Sequence, residues 1–344
     1  MRSSLNSLVG VGGPGRRKSL VRHAVLPSAC LLVATAFATS ADRPSGSAVV
    51  VSQRPGSTFP VVRTHRYRMA GAIRPLLFWI TSDDVGAGQI VWREGPSGTL
   101  GYELLIGSDP ARAPRGLNRW GYLAEEVRGS SGALLGVISA ADDESFEAAT
   151  SQLETGEAIS AFKTIRAAVS PETAVAEVSL VGARSTLTFR DVEAVLSLMR
   201  ISPVSVESRV AARPTGARSG FLAATVELVH ATVREAGPAR PISRQARSIP
   251  YMYGDGLHDL TLESYRFSAS ETIDDRPYAE VVHGKFETRS RATGERRRFE
   301  LIYGTTGPLA EVPIWIRYQP RWWLRVDLVL DANAEDLRIA DALP

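Results

Sequence analysis

A two-residue rhythm constrains this chain more than any other feature. In "QIVWREGPSGTLGYELLIG" two alternating runs flank Gly95-Pro96-Ser97-Gly98, and Leu100, Tyr102, Leu104 and Ile106 of the second run share one side of an extended segment. Alternation of that kind marks a half-buried strand, and a Gly- and Pro-rich break between two such runs marks a hairpin. "NRWGYLAEEV" and "ALLGVIS" continue the series. "SAFKTIRAAV" and "TAVAEVSLVG" then form a hairpin about Ser170-Pro171-Glu172, and "HDLTLESYRF", "YAEVVHGKFETRS" and "RRFELIYG" add further strands. Short strands with hairpin-length connections predict a mainly β chain of antiparallel meander sheets. These should fold into barrel- or sandwich-like units with two or three short helices.

Three helical patterns interrupt the rhythm. Thr188-x-x-Asp191 resembles a capping box and precedes the stripe Val192, Val195, Leu196, Met199; Pro203 closes it. Residues 142–153, "DDESFEAATSQL", open on an acidic first turn. The stretch 220–236, "GFLAATVELVHATVREA", fits either state, and its β-branched residues tip the reading toward strand. The expected organisation is an export leader over 1–41, a flexible lead-in over 42–60, an N-terminal β unit over 61–187, a connecting helix over 188–202 and a C-terminal β unit over 203–340.

The leader follows from "RRKSLVR" and the apolar run "HAVLPSACLLVATAFATSA", which ends in small-x-small cleavage options. Its apolar core, about fifteen residues, is shorter than the ~20 a spanning helix needs. The expected destination is the periplasm or the medium, with membrane contact only through the leader. Arg16-Arg17 also fits a twin-arginine signal. Charge agrees with this division. The chain carries +3 overall, but its first 41 residues hold five basic and no acidic side chains, leaving 35 basic against 37 acidic in the rest. A near-neutral remainder lacks the basic footprint of nucleic-acid binding. Cys30 is the only cysteine, so beyond the leader no disulfide, thiol nucleophile or thiolate metal site is expected.

Catalytic motifs are sparse. The chain has no Gly-x-Ser-x-Gly elbow, no His-Glu-x-x-His, no Walker sequence and no paired-cysteine spacing, and no cofactor is implied. The best polar candidate is His258 in "YGDGLHDL", between Asp255 and Asp259. Carboxylates near an imidazole can orient a general base, which would make a cofactor-independent hydrolase; the same residues also suit a polar hairpin turn. "TSDDVGAG" at 81–88 reads as a turn, and "RSRATGERRRF" as the solvated arms of a hairpin.

The most distinctive stretch is "VPIWIRYQPRWWLRV", residues 312–326, with three of the six tryptophans and three arginines. Alternation puts Val312, Ile314, Ile316 and Tyr318 on one face with Trp322, Leu324, Val326, Leu328 and Leu330. A three-residue turn, Gln319-Pro320-Arg321, would set Tyr318 opposite Trp322 and Ile316 opposite Leu324. On the reverse side Arg317 would then face Trp323 and Trp315 would face Arg325, a guanidinium–indole ladder that either stiffens the hairpin or docks a partner. The surrounding meander is loosely similar to the sheets of uncharacterised bacterial envelope proteins with lipocalin-like folds. The expected function is ligand or partner binding in the cell envelope, with an apolar small molecule or an envelope protein as occupant and an unknown oligomeric state. A purely structural envelope component is the remaining alternative.

Overall fold

The computed structural model describes residues 54–74, 78–139, 160–201 and 203–331. The expected leader, most of the expected lead-in and the expected helix at 142–153 lie outside them.

The alternating segments are strands: β1 (Val61–Ile73), β2 (Ile80–Glu94), β3 (Leu100–Ser108), β4 (Trp120–Arg128), β5 (Ser131–Ser139), β6 (Ser160–Val169), β7 (Thr173–Ala183) and β8 (Pro203–Ala212), followed by β9 (Ile242–Ser243), β10 (Arg247–Tyr253), β11 (Gly256–Ile273), β12 (Arg276–Ser290), β13 (Arg296–Gly304), β14 (Pro313–Arg321) and β15 (Leu324–Leu330). All fifteen belong to one antiparallel sheet. It runs from β10 through β15 to β1 and on to β8, so the stretches before and after the connecting helix share a single sheet. The join is the β1–β15 pairing, from Tyr67 opposite Leu330 to Ile73 opposite Leu324.

The sheet curls until its two ends meet. Arg218, in the segment after β8, lies parallel to β10, donating its N–H to Pro250 O at 2.7 Å and accepting from Met252 N–H at 2.9 Å. The β10–β11 turn reaches across to β6 and β7, where a Cβ on Gly254 (φ +64°) would collide with Ile165. One core cluster therefore spans the barrel-like interior, from Leu123, Leu134 and Ile165 to Leu260, Phe286 and Leu328. Arg213 closes the bottom of the curl: it is buried and donates to the backbone carbonyls of Ser130, Ser170 and Ala217, tying two hairpin turns to the chain that follows β8.

Among the described residues, two helices lie on opposite faces of this sheet. Helix α1 (Val192–Ile201) forms where expected, and its capping box is complete: Thr188 Oγ1 accepts from Arg190 N–H and Asp191 Oδ2 from Thr188 N–H at 2.8 Å. Val192, Val195, Leu196 and Met199 pack on Trp120, Tyr122 and Ala124, the outward side chains of β4. Residues 220–236, expected as strand, are instead helix α2 (Phe221–Val233). Its buried set, Phe221, Ala224, Leu228, Val229 and Thr232, has helical spacing and joins the interior core. Packing of that stripe outweighs the β propensity of its Val and Thr residues.

Three further details depart from expectation. "TSDDVGAG" lies within β2 as a bulge, with Ser82 opposite Gly71 and Gly86 opposite Met69, and Asp84 at φ +56°. In the β14–β15 hairpin the faces are as expected but the register is not: Tyr318 sits opposite Val326 and Ile316 opposite Leu328. The slip is even, so Trp315 to Tyr318 and Leu324 to Leu330 keep their faces. It is fixed by Arg317 pairing with Asp327 and by β15 having also to match β1, where Met69 faces Leu328. The turn itself is Trp322-Trp323, closed by Arg321 opposite Leu324 after a bulge beyond Tyr318, and this takes Trp322 out of the core; it is 66% exposed. Lastly, Arg54–Pro60, in the expected lead-in, is strapped to the outer face. Arg54 is held by Glu103, Tyr122 and Glu193 of α1, and Arg93 Nε donates to the same buried Glu103 at 2.7 Å.

Candidate functional site

Cross-strand pairing lines up one row of side chains on the outer face. Arg266 on β11 is opposite His283, His283 opposite Ile302, Ile302 opposite Trp315 and Trp315 opposite Val329. Residues directly opposite one another share a face and touch. Ile302, Trp315 and Val329 accordingly form a small apolar cluster, apart from the interior core. The row floors a groove of about 620 Å³, edged by Ile242 and Arg244 from the short β9 segment and by the Lys285–Glu300 pair, 3.7 Å apart.

The polar end of the row is a shared cluster. His283 Nε2 lies 3.1 Å from Arg266 Nη2 and 3.2 Å from a Glu271 carboxylate oxygen. Burial holds the His283 imidazole below its ordinary pKa, Arg266 adds to the effect and Glu271 opposes it. A neutral ring at neutral pH follows. The groove thus offers an indole, an aliphatic floor, both signs of charge and a neutral imidazole, which suits recognition of a mixed apolar and charged surface. Among the described residues no group of three or more His, Cys, Asp or Glu side chains could hold a metal ion.

Of the four aromatic and cationic residues singled out in the sequence, the structure divides two from two. Trp315 floors the groove and Arg317 lies over its ring, 4.2 Å from the centroid, on the same strand. Arg317 also pairs with Asp327 at 2.7 Å, and Arg325 reaches the same carboxylate at 2.9 Å. Arg325, however, lies over Trp79 at 5.0 Å, and Trp323 belongs to the turn beyond. The guanidinium–indole contacts exist, but the even slip in register gives Arg317 and Arg325 different indoles from those expected.

The second candidate group is in the interior. His258 is 6% exposed, stacked on Tyr251 at 5.3 Å and edge-on to Tyr253 at 6.3 Å. Burial lowers its pKa to about 4, opposed by Asp259, and its Nε2 is enclosed without a hydrogen-bond partner. Neighbouring strand residues point to opposite faces, and Asp259 is engaged by Arg291 at 2.6 and 2.9 Å. Asp255 lies 3.9 Å from Arg209. The two carboxylates are thus occupied by arginines while the imidazole packs among tyrosines. The arginine-rich hairpin "RSRATGERRRF" borders a separate depression of about 450 Å³, where Arg297 donates to Tyr318 at 3.0 Å and Arg298 to Glu287 at 3.0 Å.

Sequence reading passed over Glu125. It is in phase with Leu123 on the inward side of β4, and it is buried. Its oxygens accept from the N–H groups of Leu222 at 3.0 Å and Ala223 at 3.1 Å, so a side chain 97 positions away caps α2. Burial pushes its carboxyl up to about 7, against the backbone donors of residues 221–223 that favour the ionised form. A Cβ on Gly220 would collide with this carboxylate, so the helix starts on a glycine. The available signal was an acidic residue at a core-phase position of a strand, a placement that demands a partner. His283 and Arg266 gave no such signal, because isolated polar residues on an outer strand face are ordinary.

The architecture is that of a mainly antiparallel, barrel-like β protein. No family model and no curated protein sequence matches the chain. Among solved structures, it is similar to a beta-barrel-like protein of domain of unknown function DUF1849 from Brucella abortus, at 7% identity over 78% of this chain and 95% of that one, with a TM-score of 0.34. It is also similar to a protein named "putative lipoprotein" from Parabacteroides distasonis, at 10% identity over 79% and 96% of the two chains, with a TM-score of 0.26.

Proposed function

We propose that this is an exported, non-enzymatic envelope protein that binds a protein partner through the outer groove. The observation that carries the reading is the Arg266–His283–Ile302–Trp315 row, which puts an indole and an isoleucine at the floor of a 620 Å³ groove with charges of both signs around it. The interior favours this over carriage of an apolar molecule, because α2 and one continuous cluster of aromatic and aliphatic side chains occupy it. Export rests on the basic cluster and apolar run of residues 16–41.

The test compares two baits in an envelope extract, the wild-type chain and Trp315→Ala with Ile242→Ser. Loss of a specific partner from the variant bait, with unchanged thermal unfolding, is the expected result. The captured partner should then bind the variant about 10-fold or more weakly, as loss of an interface anchor worth ~1.4 kcal/mol or more requires. Identical partners and affinities for both baits would overturn the reading.

A further inference from the structure

Large apolar side chains are not scattered evenly over this protein. Four of the exposed ones, Ile73, Phe78, Ile80 and Trp322, belong to one end of the barrel. Ile73 is directly opposite both Ile80 on β2 and Leu324 on β15, which brings the β1–β2 and β14–β15 turns together. The two turns are also joined through the backbone, Arg74 N–H donating to Trp323 O at 2.8 Å. Phe78 is 61% exposed and Trp322 66%. Clustered exposure of this kind marks an interaction site, whereas single exposed apolar residues do not.

The cations at this end point to the kind of partner. Arg74 lies over Trp79 at 6.0 Å and has no carboxylate partner among the described residues. Arg325 lies over the same ring at 5.0 Å, with its one carboxylate, Asp327, set back along β15 toward the groove. A guanidinium with no carboxylate partner among the described residues, beside exposed indole and phenyl rings, matches a layer that is anionic outside and apolar beneath. Indoles, amphipathic and flat, favour that boundary, and arginines there bind phosphate oxygens. Placement agrees. Trp322 is in the β14–β15 turn and Ile73, Phe78 and Ile80 flank the β1–β2 connection, whereas Trp315 floors a groove that suits a protein segment.

We propose that the end of the barrel carrying Ile73, Phe78, Ile80 and Trp322, with Arg74 and Arg325, docks on the surface of a bilayer containing anionic phospholipid. This surface is separate from the groove. Trp315 pairs with Val329, five residues along β15 from Leu324, or roughly 16 Å at strand spacing.

The test is flotation of the protein with vesicles of phosphatidylethanolamine and phosphatidylglycerol, against vesicles of phosphatidylcholine, using wild-type and variant chains with the same N-terminus. Wild type should float with the anionic vesicles and partition at least several-fold less to the neutral ones. Phe78→Ser with Trp322→Ser should lower partitioning about 10-fold or more, since each removes an exposed ring that lipid would otherwise bury. Arg74→Gln, which changes no apolar group, should narrow the preference for anionic over neutral vesicles. Trp315→Ala should float as wild type does, which separates failure here from failure of the groove reading. Lipids brominated near the glycerol should quench wild-type tryptophan emission, a readout that stands even if the double variant fails to fold. Wild type left in the aqueous layer, or a folded double variant floating equally, would overturn the proposal. So would a protein captured from an envelope extract through Phe78 and Trp322 when vesicle binding is absent.

Discussion

The two helices solve one physical problem in different ways. Each must satisfy the free N–H groups of its first turn. Helix α1, on the outer face, does so with its own neighbours, Thr188 and Asp191. Helix α2, on the inner face, has no capping side chain nearby, begins after Gly220, and takes a carboxylate from β4, Glu125. The local cap is only partly buried. The remote cap is enclosed, so it couples helix formation to closure of the sheet, and its charge has no water to fall back on.

The sharpest way to break this contrast is to remove the remote cap. Glu125→Ala leaves two enclosed N–H groups without acceptors and should cost about 3 kcal/mol or more, read as a lower urea midpoint. Gly220→Ala attacks the same contact from the helix side and should also destabilise, because its Cβ would strike the carboxylate. A loss under about 0.5 kcal/mol for both, within the range of ordinary surface substitutions, would show that α2 does not depend on Glu125.

Titration sharpens the comparison next. The folded chain holds Glu125 near 7, above its unfolded value of 4.5. Its contribution is therefore complete below about pH 4.5 and lost as pH rises through 7. His258 behaves in the opposite sense: held near 4 against 6.5 unfolded, it contributes fully above about pH 6.5 and loses that contribution as pH falls toward 4. Between these limits the two slopes oppose, each at most ~1.4 kcal/mol per pH unit. Those two groups oppose from pH 6.5 to 5, so the wild type should lose mainly the contribution of His283, whose pKa burial also lowers. Relative to wild type, His258→Gln should gain stability over that interval and Glu125→Gln should lose it, the pair diverging by about 3 kcal/mol. Parallel profiles from urea unfolding would refute this assignment.

The same contrast explains what the sequence could disclose. Thr188, Asp191 and the stripe from Val192 to Met199 are a local grammar, legible without coordinates, and the alternation that defines β3 or β7 is equally local. The identity of α2 was not legible, because a segment apolar on nearly all sides satisfies a period of two about as well as 3.6, and the decisive facts lie on β4 and β10. Register in the β14–β15 hairpin failed for a related reason. Face assignment needs only one strand's own pattern, whereas register depended on β1, more than 250 residues away in sequence. Of the candidate binding residues, Trp315 and Arg317 were visible as composition, but the groove that Trp315 floors needs Ile242, Arg266 and His283 from other strands. The exposed end at Phe78 and Trp322 likewise unites two turns that no local pattern connects.

The smallest effect concerns the local cap. Thr188→Ala should cost about 1 kcal/mol, since Asp191 can still accept from the backbone N–H of residue 188 while water replaces the hydroxyl. Because Thr188 and Glu125 act on opposite faces of the sheet, combining Thr188→Ala with Glu125→Gln should give a loss equal to the sum of the single losses within ~0.5 kcal/mol. A larger coupling would mean that the two helices sense one another through β4, whose Tyr122 and Ala124 touch α1 while Leu123 and Glu125 face α2. Additivity would instead establish β4 as a rigid partition, with each helix cap adjustable on its own side.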